Sequence, residues 1–359
     1  MNWVGLADAQ GAQFDLTGLA NRARRRAAKV AETPGALANR GTLLLEADVA
    51  QFTVPRELIT HALGASYGLS IAFGENDGLD FELSLGRSNW AETLPLRITD
   101  ELQVVRISYA WDVASRAAVL SVFQPRSQHL VQVLIPEPRP VPLAALRSLV
   151  HDAPDMCRAN DIGFLALSRE FEPAGAMPGL DRRTLIDTPR GPRRISEIMA
   201  GDLVYTADGD RREVISTVSR VLPARGSFAP HNLHAPYLGL ERDLLVSGET
   251  LIELQGSDVE YLLGVEQVLA QASQVGDRAY LGEDQATATY HQLILEEPEL
   301  LDASIGVLSL NLCAASPNGL AAATTLWADA GGRVARHIGD PLPLARPYEV
   351  ITLNAARAA

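Results

Sequence analysis

Residues 175–210, "GAMPGLDRRTLIDTPRGPRRISEIMAGDLVYTADGD", decide the fold of the second half of the chain. "TLIDT" predicts a strand, "PRGP" a turn, and "RRISEI" a single helical turn whose Ile195 and Ile198 face the core. "AGD" predicts a tight turn in which Gly201 adopts a positive φ. "LVYT" predicts the next strand, and the following "DG" is typical of a hairpin. The stretch therefore predicts short strands joined by tight turns.

Ahead of this stretch, hydrophobic residues alternate with polar or small ones over several short segments. This period of two indicates strands with one buried face, and it is carried by Leu69, Ile71, Phe73, Phe81, Leu83, Leu85, Val105, Ile107, Tyr109 and Trp111. "RISYAWDVASRAAVLSVFQ" predicts two antiparallel strands, and the Pro-rich "PEPRPVP" ends a later one. "AALRSLVHDA" predicts a helix. Many short strands at close spacing predict a β-sandwich of the jelly-roll type.

The composition argues against several classes of protein. The 359 residues are 47% hydrophobic and 21% charged, which is typical of a globular chain. No run approaches the roughly 18 to 20 apolar residues of a membrane helix. The net charge of −13 argues against a nucleic-acid partner, because phosphate binding needs a basic surface. The arginines at 22 and 24–26 predict a solvated helix face.

The sequence indicates neither a metal nor a cofactor. Cys157 and Cys313 are far apart and are expected to be two buried free thiols rather than a disulfide or a zinc site. "TADGDRRE" lacks the full set of calcium ligands, and the prolines around His231 and His234 predict a loop. The first 30 residues lack the order of a signal peptide. The cellular location therefore stays open between the cytoplasm, export by another route and export with a particle.

The pattern from Arg40 to about Leu149 is similar to concanavalin-like jelly rolls such as laminin-G modules. The resemblance implies a sugar-binding surface, for which aromatic faces and carboxylates are the usual groups. Trp90 and Asp112 are the candidate glycan-binding residues. The alternative is that Trp111 belongs to the core and Trp90 caps a loop. A glycan or a protein is thus the expected partner, in an unknown oligomeric state.

The succession of strand, turn, short helix, Gly-Asp and strand in the opening stretch resembles the start of Hint domains, the fold shared by inteins and hedgehog autoprocessing domains. The resemblance is to bacterial proteins of the Hint-domain-containing type. It extends to "LPARGSFAPHNLHAPYLGLERDLLVSGETLIEL", to "YHQLILEEPEL" and in outline to "RPYEVITL". We therefore expect a mainly β fold with an N-terminal segment 1–40, a sandwich 41–172, a Hint-like domain 173–305 and a mixed C-terminal tail 306–359 that contains a helix at "LAAATTLWADA".

The Hint resemblance implies positions for an intramolecular acyl transfer. In the family a Cys or Ser at the first position attacks the preceding carbonyl, and a Thr-x-x-His motif stabilises the amide and protonates the departing nitrogen. Here the first position falls on Gly179, and the motif falls on Ser247 and Thr250 of "VSGET". His291 matches a further family histidine whose neighbouring motif residues are absent.

Both positions that the reaction requires are thus degenerate, because glycine cannot attack a carbonyl and threonine is no substitute for an imidazole. The sequence favours a non-enzymatic structural or binding protein, as part of a secreted or phage-like particle. The alternative is self-cleavage near residue 179. It would need Asp181, Thr184 or Thr188 as a surrogate nucleophile, and the sequence indicates no base beside them.

Overall fold

The computed structural model describes residues 2–19, 35–50, 55–74, 78–96, 98, 101–151, 156–279, 285–310, 320–330 and 339–358. The arginine cluster at 22–26 and Cys313 lie outside these residues. The chain divides into two compact units, Met1–Gly175 and Ala176–Ala359. Each unit has its own hydrophobic core.

The first unit consists of antiparallel strands and one helix. In chain order these are β1 (Trp3–Asp8), β2 (Gly11–Phe14), β3 (Leu37–Ala38), β4 (Arg40–Val49), β5 (Arg56–Leu63), β6 (Tyr67–Phe73), β7 (Gly78–Leu85), β8 (Ser88–Pro95), β9 (Gln103–Asp112), β10 (Ala117–Gln124), β11 (His129–Pro136), β12 (Val141–Pro142), α1 (Leu143–His151), β13 (Met156–Arg158) and β14 (Ile162–Ser168). One sheet has the order β11-β10-β9-β4-β14-β1-β2, and the facing sheet has the order β13-β5-β6-β7-β8. The short strands β3 and β12 form a separate pair.

The residues that alternate in sequence form the core between the two sheets. Leu69, Ile71 and Phe73 are buried at every second position of β6. The Trp111 ring stacks on Tyr109 with 5.4 Å between ring centroids, and its Nε1 donates to a backbone carbonyl of β3 at 3.0 Å. The predicted hairpin is formed by β9 and β10. The structure therefore confirms the mainly β fold and the sandwich predicted from the period of two.

The first unit begins earlier than the expected sandwich boundary at residue 41. Strand β1 pairs with β14, so that Leu6 lies opposite Ala166 inside the large sheet. The buried Trp3 and Leu6 contribute to the interior of this unit. Part of the expected N-terminal segment is therefore integral to the sandwich.

Cys157 differs from expectation as well: it is an exposed thiol, because β13 is an edge strand.

The second unit is built from shorter strands and a few short helices. In chain order these are β15 (Leu180–Asp181), β16 (Leu185–Ile186), β17 (Arg193–Arg194), β18 (Leu203–Tyr205), β19 (Arg211–Glu213), β20 (Ser216–Pro223), β21 (Pro230–Leu233), β22 (Leu244–Ser247), β23 (Leu251–Gln255), α2 (Ser257–Leu263), β24 (Gln267–Gln271), α3 (Ala272–Val275), β25 (Asp277–Arg278), β26 (Thr287–Ile294), β27 (Leu300–Asp302), β28 (Gly306–Leu308), α4 (Leu320–Thr324) and α5 (Pro347–Ala358). Single 3₁₀ turns lie at Ile195–Glu197, Gly226–Phe228, Tyr237–Gly239 and Leu326–Ala330.

A six-stranded sheet, β20-β26-β15-β22-β21-β25, and a four-stranded sheet, β24-β23-β28-β27, make up most of this unit. The pairs β16–β17 and β18–β19 form the turns predicted from the opening stretch. Ile195 and Ile198 are buried as predicted, and Gly201 has a φ of +88°. The loop predicted around His231 is wrong at that residue, because Pro230 begins strand β21 and His231 pairs with Val246.

The expected C-terminal tail belongs to the second compact unit. Its predicted helix is present as α4 and the 3₁₀ turn Leu326–Ala330. Leu326 is buried, and Asp329 accepts a hydrogen bond from Arg220 Nε on β20 at 3.0 Å. Among the described residues, no helix combines the length and apolar character needed to cross a membrane.

We predict that Phe81→Ala destabilises the first unit by about 3–5 kcal/mol, because it leaves a cavity in the core. Phe81 is fully buried, and its ring centroid lies 5.5 Å from those of both Trp90 and Tyr109. Denaturant unfolding followed by tryptophan fluorescence measures the change. Leu102→Ala is the control, because this side chain is 62% exposed. Equal effects of the two substitutions would contradict the packing described above.

Candidate functional site

The first residues of the second unit lie alongside the turn that follows β22. The Met177 N–H donates to Glu249 Oε2 at 2.7 Å, and Ser247 Oγ donates to the Met177 carbonyl at 2.9 Å. All three residues are buried, so bulk water does not compete for these hydrogen bonds. Two side chains of the turn therefore fix the backbone at Met177.

The same turn binds both backbone groups of Gly179. The Gly179 N–H donates to Thr250 Oγ1 at 2.9 Å, and this hydroxyl in turn donates to the Gly179 carbonyl at 3.0 Å. The Ser247 N–H donates to the same carbonyl at 2.8 Å. Ser247 and Thr250 are fully buried. The segment Met177–Gly179 is thus held on both sides of the 178–179 peptide bond, and we call the turn Ser247–Thr250 the clamp turn.

The clamp turn is itself supported from two sides. The Thr250 N–H donates to the Ser247 carbonyl at 3.0 Å, and the Ser273 N–H at α3 donates to the Gly248 carbonyl at 3.0 Å. The ring of His231 packs on Gly248: a Cβ at that glycine would lie 2.9 Å from His231 Nδ1 and Cε1. Gly248 is therefore required by the buried imidazole beside it.

No side chain fits at Gly179 with the backbone in this position. An ideal Cβ at this residue would lie 2.5 Å from Tyr290 Cβ, well inside van der Waals contact. Tyr290 is buried, and its hydroxyl donates to the Phe228 carbonyl at 2.8 Å. Because the close atom is a Cβ, a rotation of the Tyr290 ring cannot relieve the contact. Position 179 therefore has neither a nucleophilic side chain nor the space for one.

Three of the positions assigned from the Hint resemblance lie together, since Ser247 and Thr250 both contact Gly179. His291 lies on β26 opposite Leu180, and its ring forms no hydrogen bond to another residue in the described part of the chain. Burial and the nearby Arg182 lower the pKa of His291, while Asp181 acts in the opposite direction. The imidazole is therefore neutral near pH 7. It is not one of the groups that bind Met177 or Gly179.

The three residues considered as surrogate nucleophiles have local roles in turns. Asp181 Oδ1 accepts hydrogen bonds from the Arg183 N–H at 3.0 Å and from Arg183 Nε at 2.9 Å. Thr188 Oγ1 donates to the Gly191 carbonyl at 2.7 Å. Thr184 is buried, and its carbonyl accepts from the Ile195 N–H at 2.8 Å. These contacts shape the loop after β15.

Two residues of the site could not be assigned from the sequence. Glu249 lies between the two motif positions of "VSGET", but nothing in the motif predicts that it binds the Met177 N–H. Tyr290 directly precedes His291, and its contact with Gly179 joins two segments far apart in sequence. The glycine at the first position was the one available signal, because glycine often marks a close approach of two backbones.

The described residues offer no metal-binding group of three or more His, Cys, Asp or Glu side chains. The nearest arrangement is at His234, whose Nδ1 lies 3.3 Å from Asp243 Oδ2 and whose Nε2 lies 3.9 Å from Asp277 Oδ2. Asp243 Oδ1 already accepts a hydrogen bond from the Ala235 N–H at 2.9 Å. These are contacts among polar side chains at the surface.

In the sandwich, Trp90 and Asp112 lie on strands of different sheets, β8 and β9. The half-buried Trp90 packs its ring edge-to-face with Phe81. Asp112 Oδ1 accepts from the Ala114 N–H at 2.9 Å, and Oδ2 lies 3.5 Å from Arg40 Nε. Each candidate thus has an intramolecular role, and a glycan site at these residues stays a prediction.

We predict that Gly179→Ala destabilises the second unit by about 1–3 kcal/mol, because the new methyl group overlaps Tyr290 Cβ. The cost should fall in a Tyr290→Gly background, which removes that Cβ, and a double-mutant cycle measures the coupling. Tyr290→Phe is the matched control: it keeps the Cβ and should leave the cost of Gly179→Ala unchanged. The same cost in the Tyr290→Gly background would show that the contact is not the cause.

The glycan prediction is tested by applying the full chain to a glycan array. If Trp90 and Asp112 bind a sugar, Trp90→Ala and Asp112→Asn should each reduce the signal at least tenfold, because each removes a direct contact. Leu102→Ala serves as a surface control. Binding that survives both substitutions would place the sugar elsewhere.

Part of the second unit matches a known protein family. Residues 178–307 match the family model described as Hint domain. A crystal structure of the gp41-1 intein aligns over 38% of this chain and 100% of the intein, with 17% identity and a TM-score of 0.24. The CBM40 module of a Ruminococcus gnavus IT-sialidase, bound to α2,6-sialyllactose, aligns over 38% of this chain and 79% of that chain, with 10% identity and a TM-score of 0.25.

The LG1-3 region of the laminin α2 chain aligns over 78% of this chain and 53% of that chain, with 10% identity and a TM-score of 0.27. A search of curated proteins gives no match. The family match begins at residue 178, and it includes Gly179, the clamp turn and β26. Residues 178–307 are therefore a Hint domain, which this chain carries after an N-terminal β-sandwich.

Proposed function

We propose that this Hint domain is a non-enzymatic scaffold in a structural or binding protein. The observation that carries the proposal is the 2.5 Å between Tyr290 Cβ and the position of a Cβ at Gly179. An acyl shift needs a nucleophilic side chain next to the carbonyl of residue 178. Tyr290 fills the volume in which that side chain would begin.

The direction of the hydrogen bonds also supports the absence of catalysis. To assist cleavage, a group at the Thr250 position would have to deliver a proton to the nitrogen of Gly179. Here that nitrogen donates its hydrogen to Thr250 Oγ1, and the hydroxyl proton is directed to the Gly179 carbonyl instead. Thr250 thus satisfies both backbone groups of Gly179, and its hydroxyl proton is not directed at the nitrogen of a departing amine.

The clamp contacts fit a structural role for the same residues. Met177 and Gly179 form hydrogen bonds with Ser247, Glu249 and Thr250, all of which are buried. Buried hydrogen bonds of this kind hold a backbone segment in one conformation. We infer that the family's reaction site has become a fixation point for the start of the domain.

The sandwich is then the part of the chain through which binding or assembly is expected. Its two-sheet architecture, and the net charge of −13 of the whole chain, are compatible with a surface exposed in a secreted or phage-like particle. This setting belongs to the proposal together with the glycan site at Trp90 and Asp112. The autoprocessing alternative makes the opposite prediction for the covalent state of the chain.

The intact mass of the purified protein, before and after incubation with thiol or hydroxylamine, tests the proposal. We expect a single species with the mass of all 359 residues under each condition. Gly179→Cys and the double variant Gly179→Cys, Thr250→His should also remain intact, because the sulfur has no space beside Tyr290. Two fragments that meet at the 178–179 bond in the wild-type chain would overturn the proposal.

A further inference from the structure

An open cavity of about 620 Å³ lies within the second unit, beside strand β22. Parts of β15, β21, β22 and β25 and the turn after β15 line it. Its volume is in the range of about 300 to 1,000 Å³ that is typical of ligand sites. Neither Gly179 nor the clamp turn is among the lining residues. The cavity is therefore lined by other residues than the reaction site of the family.

The cavity borders a part of β22 that has no neighbouring strand on one side. β15 pairs with β22 only at Leu180, opposite Val246. The Ser247 N–H donates to the Gly179 carbonyl on this side, and alternate residues of a strand present their N–H groups to the same side. The Leu245 N–H therefore faces this side, on which no strand of the described chain pairs with Leu245. Leu245 also lines the cavity.

Two of the arginines that line the cavity have no anionic partner. Arg242 and Arg278 are exposed. Neither guanidinium forms a hydrogen bond or an ion pair with another residue in the described part of the chain. Guanidinium groups bind carboxylates and phosphates through parallel hydrogen bonds. These two arginines are therefore available to an anionic ligand.

The aspartates of the cavity do not pair with these arginines. Asp181 accepts hydrogen bonds from the N–H and the Nε of Arg183. Asp243 accepts a hydrogen bond from the Ala235 N–H at 2.9 Å. The side chain of Asp277 is 89% exposed and thus directed into solvent. The three carboxylates repel a dianionic phosphate more strongly than a singly charged carboxylate, so Glu and Asp side chains are the favoured ligand groups.

We propose that this cavity binds an extended acidic peptide segment of a partner protein, which adds to the open edge of β22 and places its carboxylates on Arg242 and Arg278. The peptide backbone pairs with Leu245 as an added strand, a common mode of peptide recognition. Leu185 and Leu245 provide apolar contacts for the other peptide side chains. A free organic acid supplies the charge but not the backbone pairing. The site does not depend on whether the 178–179 bond can be cleaved.

Fluorescence anisotropy of the full chain with the labelled peptide Ala-Glu-Leu-Glu-Leu-Glu-Ala tests the proposal. We expect saturable binding at about 50 mM NaCl that weakens about fivefold or more at about 500 mM, because salt screens exposed ion pairs. The same peptide with Gln in place of each Glu should bind about tenfold more weakly or less, because it lacks the charges. Absence of saturable binding by the acidic peptide, or equal binding of the two peptides, would refute the proposal.

Substitutions of the two arginines locate the peptide. Arg242→Gln and Arg278→Gln should each weaken binding by about two- to fivefold, and the double variant by about the product, because each removes one exposed ion pair. Arg190→Gln is the matched control: Arg190 is an exposed arginine of the same unit that does not line the cavity. Binding that is unchanged in the double variant, or that falls as much in Arg190→Gln, would place the peptide elsewhere.

The backbone amide of Leu245 reports the addition of a strand. In ¹H–¹⁵N spectra of the full chain we expect its resonance to shift with the acidic peptide, whereas the amides of β24, which belongs to another sheet, should not shift. Free glutamate carries the same carboxylate without a strand and should leave the Leu245 resonance in place. An equal shift with glutamate would show that a free carboxylate is sufficient, and the assignment to a peptide would then be wrong.

Discussion

The close approach of Gly179 to Tyr290 is the constraint on which the second unit depends. The absence of a side chain at one residue lets β15 lie against β26 while Tyr290 stays buried beside it. The clamp turn then reaches both backbone groups of Gly179 from the other side. Adding a single carbon atom at this residue would force one of these neighbours to move.

This constraint separates the architecture of a Hint domain from its reaction. The residues at its motif positions are in contact. Those contacts satisfy the backbone N–H and the carbonyl of Gly179. Tyr290 occupies the space in which a side chain at residue 179 would begin.

The sequence predicted the parts of the structure that depend on local pattern. Alternation at Leu69, Ile71 and Phe73 predicted a half-buried strand, because side chains of a strand point to opposite faces. A short motif likewise predicted the helical turn at Ile195. The Hint motifs pointed to Gly179 and Thr250, which are hydrogen-bonded to each other in the structure.

Contacts between distant segments were not accessible in this way. The overlap with Tyr290, the bond from Met177 to Glu249 and the strand at His231 each depend on register between strands that no local pattern encodes. The prolines around His231 suggested a loop, but proline is tolerated at the first residue of a strand. Tertiary pairing decided these positions.

The pairing of β1 with β14 has a consequence for how the chain is made. The first strand of the sandwich finds its partner in the last one, at Ala166 for Leu6. During synthesis β1 must therefore wait, with its apolar Trp3 and Leu6 unburied, until residue 168 has left the ribosome. Folding of the first unit is thus completed only after its last strand has emerged, late in the synthesis of that unit.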